Sequence, residues 1–587
     1  MKILFFSPHA AIWQHAFPES LIAEALMQGG DDVTYVTCGG AFSDICAPMS
    51  ASGLWTGSDP TQKAQVCVMC KKRKALLRQS FMFSSYDLDE KISTAELAEI
   101  DALVADVTLD NFLQLEIDGI AVGRYATYEL LLNYKKNNLA FSDREWAAYK
   151  CYLRSALRAF FASRNILKAE LPERVFAYNS YYSVSHMFCA LAETMGIPHY
   201  FLHAGGNMAH RLETMSMTRG YRGALYLSKS AHWQNYKGLP SMRTEAETVT
   251  DHLIELFKGR NVFAYSASKQ GRDSASLREF FNVGPEQKVL LATMNSRDER
   301  FALEVIGVLE QSYPAIYSSQ LEWVTALIEF AKGRPDILLI IRVHPREFPN
   351  KRESVTSANV QLLLEAFNSL PPNVKVNWPG DGISIYDLAE IVDVGLNAWS
   401  NAGKELSLLG IPIVLYSSDL VLAYPAELNY VGTTPDAYFD QIDAAIKDGW
   451  SVENMRLAYR WCAFEYVHSV INLAESFRYQ EFFSKSLPER IVAKLRRVFD
   501  PLWRERDNCR QRAPRLEAQA LISETARQAK ELHLEIAAPT SQGRPSVAEE
   551  TDILRAQAAR VLGEIRAASP DDPGSLQAKL RAFVEGA

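Results

Sequence analysis

The apolar positions of the second half of this chain form short continuous runs, and most of these runs are separated by segments with helical periodicity. Runs of this kind are typical of strands that are buried on both faces of a parallel sheet. They predict strands at residues 288–293, 337–343, 374–377, 392–396 and 413–416.

The first half repeats the pattern with two long interruptions. Strands are predicted at 2–7, 32–37, 174–179 and 199–203, with helices at 18–29 and 184–195. The interruptions are a cysteine-bearing insert at 38–75 and a helical insert at 94–168. Alternation of strands and helices predicts a second parallel sheet with helices on both faces.

These patterns predict an α/β protein with two Rossmann-like domains that face a cleft. The predicted domains are 1–255, which carries both inserts, and 256–474. Residues 475–587 form a helical C-terminal extension. Ligands of open α/β sheets bind beyond the carboxyl ends of the strands, so the loops at those ends are where we look for chemistry.

Charge and composition narrow the class of protein. A formal net charge of −8 over 587 residues argues against a general nucleic-acid binder, which needs a basic surface. No apolar run reaches the roughly 18 residues of a membrane span. Residues 1–6 are interpreted as a buried strand and not as a secretion signal, which predicts a cytoplasmic protein with reduced cysteines.

The strongest chemical signal follows the predicted strand 337–343, where the sequence reads Arg-Val-His-Pro-Arg. Arg342 offers charge-assisted, bidentate hydrogen bonds to phosphate oxygens. His344 can donate a proton or a hydrogen bond to a leaving phosphate near neutral pH. The alternative for a single histidine is a structural role.

Polar residues also follow the other predicted strands of the second half. At 400–405 a helix begins with small residues, so its free amide groups are expected to meet a phosphate, with Glu405 accepting from ribose hydroxyls. Helix capping alone is the competing interpretation of these loops. The full predicted donor-binding set is Asn295, Ser296, Arg297, Arg342, His344, Ser384, Ser400, Asn401, Gly403 and Glu405.

These motifs resemble those of bacterial capsule polysaccharide biosynthesis proteins and related glycosyltransferases of the two-Rossmann (GT-B) type, some of which transfer Kdo or sialic acid. In that family a His-Pro motif and a later helix start with Ser, Gly and Glu contact the donor. His344 matches the first motif, and Ser400, Gly403 and Glu405 match the second. The tandem Ser and Thr of some relatives are absent, since Ser400-Asn401 stands there.

The resemblance implies metal-independent binding of a nucleotide-sugar donor, with the nucleotide left open among CMP, UDP, GDP and dTDP. It implies that 256–474 is the donor domain and that 1–255 is the acceptor domain, with a saccharide or a lipid-linked glycan as acceptor. An inverting transferase also needs a general base beside the acceptor hydroxyl. The loop after the first strand supplies His15 and Glu19 as candidates, against the alternatives of a packed imidazole and a helix cap.

Four cysteines in the insert have the spacing C-x7-C-x20-C-x2-C. Four thiolates can close a tetrahedral zinc site, and the basic run at 71–74 is expected to favour thiolate. A structural zinc site, an iron–sulfur cluster and unconnected thiols are the three interpretations. The predicted ligands are Cys38, Cys46, Cys67 and Cys70.

Two parts of the C-terminal extension could bind a partner. Residues 487–512 mix basic and apolar side chains, which predicts either peripheral contact with the inner face of a membrane or a helix that packs on the first domain. Residues 514–587 could pair as a helical hairpin or mediate homo-oligomerisation.

Three functions are consistent with the sequence. The first is a glycosyltransferase that acts on a surface glycan such as capsule or lipopolysaccharide. The second is a sugar-nucleotide epimerase or hydrolase on the same double fold. The third is a non-catalytic scaffold of a glycan assembly complex.

Overall fold

The computed structural model describes residues 1–221, 227–259, 265, 267–309, 316–350, 354–398, 400–416, 425–478, 486–513, 516–537, 539–565 and 572–586. Within these ranges the strands form two sheets. The strands are β1 Lys2–Phe6, β2 Asp32–Thr37, β3 Ser84–Asp87, β4 Arg174–Tyr178, β5 His199–Ala204, β6 Thr214–Arg219, β7 Lys288–Thr293, β8 Ile337–Arg342, β9 Val374–Asn377, β10 Val394–Asn397, β11 Ile413–Leu415, β12 Tyr430–Val431 and β13 Ile471–Asn472.

The helices of the first half cover its sheet and build both inserts. They are α1 Trp13–Gln28, α2 Ala47–Ala51, α3 Pro60–Phe81, α4 Thr94–Asp106, α5 Val122–Tyr125, α6 Tyr128–Asn133, α7 Asp143–Glu170, α8 Ser183–Thr194, α9 Leu227–Trp233 and α10 Arg243–Lys258.

The helices of the second half and of the extension follow in chain order. They are α11 Ser274–Phe281, α12 Arg297–Val305, α13 Gln320–Lys332, α14 Asn359–Ala366, α15 Ile385–Leu388, α16 Asn401–Ser407, α17 Pro435–Asp448, α18 Val452–Ala463, α19 Leu487–Phe499, α20 Trp503–Gln511, α21 Gln519–Arg527, α22 Val547–Glu564 and α23 Leu576–Glu585.

Both sheets have the strand order of a doubly wound fold. The second sheet runs β12-β11-β10-β7-β8-β9, with every pair parallel. Read from β9, this is the order 3-2-1-4-5-6 of a Rossmann domain. The predicted class, α/β with two Rossmann-like domains, is therefore confirmed by the topology itself.

The first sheet has the same order and ends differently. It runs β13-β6-β5-β4-β1-β2-β3, and its last two pairings, β5 with β6 and β6 with β13, are antiparallel. Because β13 lies at 471–472, the last residues of the predicted donor domain pair with the first sheet. The boundaries at 255 and 474 stay predictions.

The two halves are held together close to the carboxyl end of β8. Lys135, which is fully buried, donates from Nζ to the carbonyl oxygens of Phe348 at 3.1 Å and Val355 at 2.6 Å. Arg346 donates from Nη2 to the carbonyl oxygen of Leu132 at 3.0 Å. Both contacts join the helical insert of the first half to the loop after β8.

The last two helices of the extension pack on the body of the chain. Helices α22 and α23 bury their apolar side chains in one core with α10 and α18, for example Leu554 and Leu580. Homo-oligomerisation through residues 514–587 stays a prediction. Among the residues described, no helix is both long and apolar enough to cross a bilayer.

Candidate functional site

A cavity of about 410 Å³ lies beyond the carboxyl ends of the second sheet's strands, a size within the roughly 300–1,000 Å³ of ligand pockets. It opens between the loops that follow β7 and β10. The chain leaves β7 towards β8 on one side, while β10 and β11 continue the sheet on the other, so this is the switch point of the sheet. Open α/β sheets bind their ligands at that crevice.

The structure places seven of the ten predicted donor-binding residues around this one cavity. They come from the ends of three strands and from the helix starts that follow. The seven are Asn295, Ser296, Arg342, His344, Ser400, Asn401 and Glu405.

Arg342 is a buried cation without an acidic partner. Its side chain is at the end of β8 with 8% exposure, and Nη1 donates to the amide oxygen of Asn377 and, at 3.0 Å, to the carbonyl oxygen of Ile383. No carboxylate of a described residue forms an ion pair with it. Burial lowers the pKa of Arg342 to about 10, although the nearby Tyr386, Asp387 and Asp381 act in the opposite direction, because burial penalises the charged form of a side chain.

His344 is held in one tautomer by the backbone. Its Nδ1 accepts a hydrogen bond from the amide N–H of Arg346 at 3.2 Å, so the proton of the neutral ring is on Nε2. Burial lowers the pKa of His344 to about 4, and the nearby cations Arg346 and Arg342 act in the same direction. Near pH 7 this histidine is therefore a neutral Nε2–H donor, and its role towards a leaving phosphate stays a prediction.

Glu405 lies on the wall of the cavity and is fixed by a tyrosine. The hydroxyl of Tyr386 donates to Glu405 Oε2 at 2.8 Å. Burial raises the pKa of Glu405 above its ordinary value, and Tyr386 and Lys404 oppose this shift. Tyr386 thus fixes the orientation of the carboxyl group, and the role of Glu405 towards a ligand hydroxyl stays a prediction.

The helix start at Ser400 contributes less than the sequence suggested. The Ser400 hydroxyl accepts from the amide of Ala402 at 3.3 Å, and the Ser400 carbonyl accepts from the amide of Gly403 at 3.4 Å. Two of the amides expected to meet a phosphate are therefore already bonded, and α16 has only seven residues. Trp399, next to this turn, lies outside the described residues.

Three predicted donor residues do not line the cavity. Arg297 pairs with Glu304 at 3.0 Å. Ser384 is fully buried, caps α15 by accepting from the amide of Tyr386 at 3.2 Å, and donates to a carbonyl oxygen. Gly403 lies inside α16, behind Asn401 and Ala402.

Several lining residues were not predicted. Four of them come from the second half of the chain: Tyr265, Glu299, Arg300 and Tyr386. Met208 and Arg211 come from the loop after β5, so the first half forms one wall of the cavity. The only sequence signal for Arg211 was its place shortly after a predicted strand end.

The two predicted base candidates have different environments. Glu19 has 1% exposure and accepts from the Ser7 hydroxyl at 3.2 Å, and burial raises its pKa well above the ordinary value. A raised pKa disfavours the charged carboxylate that a general base requires, and the role of Glu19 as base stays a prediction. His15 stacks on Tyr178 with ring centroids 4.1 Å apart. Burial, followed by the nearby His203, lowers the pKa of His15, so its ring is neutral.

The four cysteines of the insert line a separate small cavity next to the loop after β1. In the described part of the chain, no group of three or more His, Cys, Asp or Glu side chains is arranged to hold a metal ion. Burial raises the pKa of Cys38 to about 11 and also raises those of Cys67 and Cys70. The neighbouring lysines do not outweigh burial, so the thiolate and zinc predictions are not supported, and separate thiols fit best.

Arg346, four residues after Arg342, is also buried but forms an ion pair. It has 4% exposure, and its Nη2 lies 2.8 Å from Oδ2 of the equally buried Asp298. Arg346→Met is expected to lower the free energy of unfolding by about 3–5 kcal/mol, because it leaves Asp298 buried without its cation. Urea denaturation followed by circular dichroism measures this loss.

The double variant Arg346→Met with Asp298→Leu is the control for that experiment. Removing both charges should restore part of the lost stability, since no buried charge then remains unpaired. A loss below about 1 kcal/mol for Arg346→Met alone would contradict the pairing described here.

Comparison with known proteins gives only distant structural similarity. No protein-family model matches the sequence, and no curated protein matches it. One similar solved structure is a UDP-GlcNAc 2-epimerase from Neisseria meningitidis bound to UDP-GlcNAc, with 12% identity, 78% of this chain and 94% of that chain covered, and a TM-score of 0.26.

Two further solved structures are similar to this chain at comparably low identity and TM-score. The UDP-GlcNAc 2-epimerase from Methanocaldococcus jannaschii is 11% identical over 78% of this chain and 98% of that chain, with a TM-score of 0.24. The glycosyltransferase SnogD from Streptomyces nogalater is 13% identical over 79% of this chain and 95% of that chain, with a TM-score of 0.22. The fold assignment depends on the two strand orders and not on these similarities.

Proposed function

We propose that the chain is a glycosyltransferase of the two-Rossmann type, which binds the phosphate of a nucleotide-sugar donor in the cavity between β7 and β10. The observation that carries this proposal is Arg342, a buried guanidinium with no carboxylate partner among the described residues. A buried cation of this kind is costly unless an anion compensates it. A phosphate at the switch point supplies that anion.

The neighbouring groups suit the rest of such a donor. The Nε2–H of His344 donates to a phosphate oxygen and stabilises the charge that develops on the leaving nucleotide. Glu405, held by Tyr386 through Oε2, accepts from a ribose hydroxyl through Oε1. Arg211 adds a cation from the opposite half, so donor binding draws the two halves together.

The acceptor, a saccharide or a lipid-linked glycan, approaches from the first half. His15 is the proposed general base, because its ring is neutral and can take the proton of an acceptor hydroxyl. It lies outside the lining of the cavity and near Arg211, whose charge adds to burial in lowering the pKa of His15. In this proposal the acceptor fills the space between His15 and the donor.

A thermal-shift panel of CMP-, UDP-, GDP- and dTDP-sugars tests the proposal. A donor at a hundred times its dissociation constant stabilises the folded chain by about 2.7 kcal/mol. One nucleotide class should raise the melting temperature. No shift with any of the four would contradict the proposal.

The same panel separates transfer from epimerisation. A transferase consumes its donor only when an acceptor is present, apart from slow hydrolysis. Proton NMR measures whether the sugar nucleotide is converted to its epimer when no acceptor is present. Such conversion would show that the protein is an epimerase that uses the same cavity and not a transferase.

Substitution of His15 tests the acceptor side. His15→Ala is expected to lower kcat about 100-fold, because general base catalysis is lost, while the dissociation constant of the nucleotide stays the same. The measurements are initial rates and calorimetric titration. Equal losses in nucleotide affinity and in rate would show that His15 shapes the donor site and does not act as base.

A further inference from the structure

Helix α19, Leu487–Phe499, carries an apolar face that no other described part of the chain covers. Of its thirteen residues only Ala493 is buried. Phe499 is 87% exposed and Leu495 is 56% exposed. The large exposed apolar side chains of this helix are Leu487, Ile491, Val492, Leu495, Val498 and Phe499.

The spacing of these side chains gathers them on one face. At about 100° per residue, the six positions fall within an arc of roughly 140°. Ala493, where the helix rests on the protein, lies about 170° from the centre of that arc by the same count. The apolar arc therefore faces directly away from the body of the chain.

Cations flank the arc on both edges. Lys494 lies next to one edge and Arg496 next to the other, and Arg490 and Arg497 continue the basic surface towards the protein. Glu489, the one acid in the helix, is bound in the capping box at its first turn. A basic amphipathic helix of this pattern is typical of segments that lie in the plane of a lipid surface.

A second basic feature lies beside α19. A cavity of about 190 Å³ lies between α19, α20 and the start of α1, and its lining includes Arg478, Arg497 and Arg504 together with the acids Glu505 and Asp507. Arg73 also lines it and pairs with Glu505. Guanidinium groups around a cavity of this size are suited to the phosphate of a headgroup.

The charges decide between lipid and a second copy of the chain. In a two-fold dimer through α19, the apolar arcs would meet and the cations at their edges would face one another. Repulsion between them opposes such pairing. An anionic lipid surface instead takes the apolar side chains into its acyl boundary and pairs the cations with its headgroups.

We propose that α19 docks this protein on an anionic phospholipid surface, with its apolar arc inserted and its basic edges at the headgroups. This inference is independent of the proposed function, since it depends on α19 and its surroundings and not on the nucleotide cavity.

Vesicle co-sedimentation with the full chain tests the apolar part of the proposal. The variant Leu495→Asp with Phe499→Asp should bind vesicles of phosphatidylglycerol and phosphatidylcholine about 100-fold more weakly than the unmodified chain. The matched control is Leu362→Asp with Leu364→Asp, two exposed apolar residues on α14, and its binding should be unchanged. Unchanged melting temperatures establish that each variant folds.

The charged part is tested on the same vesicles. Lys494→Gln with Arg497→Gln should weaken binding about 5-fold per charge, whereas Lys168→Gln with Lys447→Gln, exposed lysines elsewhere, should change it little. Vesicles of phosphatidylcholine alone should bind at least about 10-fold more weakly.

Three outcomes would overturn the proposal. The first is equal binding to both kinds of vesicle, and the second is equal binding by the Leu495→Asp, Phe499→Asp variant and its control. The third is a dimer in analytical ultracentrifugation that this variant dissociates, combined with no vesicle binding by the unmodified chain, because the occupant of the face would then be a second copy.

Discussion

Arg342→Met weakens nucleotide binding by about 30- to 1,000-fold, which corresponds to roughly 2–4 kcal/mol for a buried charge contact, and the unliganded protein stays equally stable or becomes more stable. The two effects have one cause. Without a ligand, Arg342 is a buried cation with only neutral hydrogen-bond partners, so removing its charge relieves a desolvation cost. With a donor bound, the same charge meets the phosphate.

Calorimetric titration measures the predicted loss of nucleotide binding, and urea denaturation of the free protein measures the predicted effect on stability. Arg346→Met is the matched comparison, because Arg346 is as buried as Arg342 and is paired with Asp298 at 2.8 Å. It should lose stability where Arg342→Met does not. Destabilisation of the free protein by several kcal/mol in Arg342→Met would show that Arg342 is structural.

His344→Ala lowers kcat about 1,000-fold, within the range of roughly 10²–10³ for a lost charge-stabilising donor and up to 10⁴ for a lost acid. His344→Gln should recover part of that loss, because a side-chain amide is also a neutral donor. The reason is the tautomer: Nδ1 accepts from the Arg346 amide at 3.2 Å, which leaves Nε2–H facing the ligand. Steady-state rates with saturating donor measure both variants.

The pH profile supplies an independent check on His344. Burial holds its pKa at about 4 in the free protein, below the ordinary value of about 6.5. Between pH 5.5 and 8, the pH profile of kcat/KM should therefore show the same ionisations in the unmodified protein and in His344→Gln. An ionisation near pH 6.5 that disappears in this variant would mean that the ring is cationic in the working site.

Much of the fold was predictable because buried parallel strands carry their signal locally. The strands Lys288–Thr293, Asp32–Thr37 and Val374–Asn377 have the predicted bounds. The antiparallel edge was missed for a physical reason. Thr214–Arg219 has no continuous apolar run, and Ile471–Asn472 is only two residues long, so their pairing is set by tertiary contacts and not by local pattern.

The site was predictable where a residue ends a strand and uncertain where it lies on a helix. Arg342 is the last residue of β8 and His344 follows shortly after it, so the sheet sets their direction. In α12, Arg297 was predicted and Arg300 lines the cavity, because the face a helix presents depends on where the helix begins and how it packs. Arg211 was missed since its place in the cavity comes from docking of the two halves.

For the cysteine cluster, the sequence predicted a metal site that the structure does not support. The spacing brought four thiols to one cavity as predicted, but spacing does not report burial. The basic run at 71–74 was expected to favour thiolate, whereas burial raises the thiol pKa values of Cys38 and Cys70 despite it. Desolvation of a small charge outweighs neighbours that remain partly in water.

A structure of the chain bound to the nucleotide identified by the thermal-shift panel is the most direct test of the account. We predict density for a phosphate within about 3 Å of Arg342 Nη and His344 Nε2, with the nucleoside extending along the wall formed by Glu405. A nucleotide bound elsewhere, or a phosphate that leaves Arg342 without a contact, would contradict it.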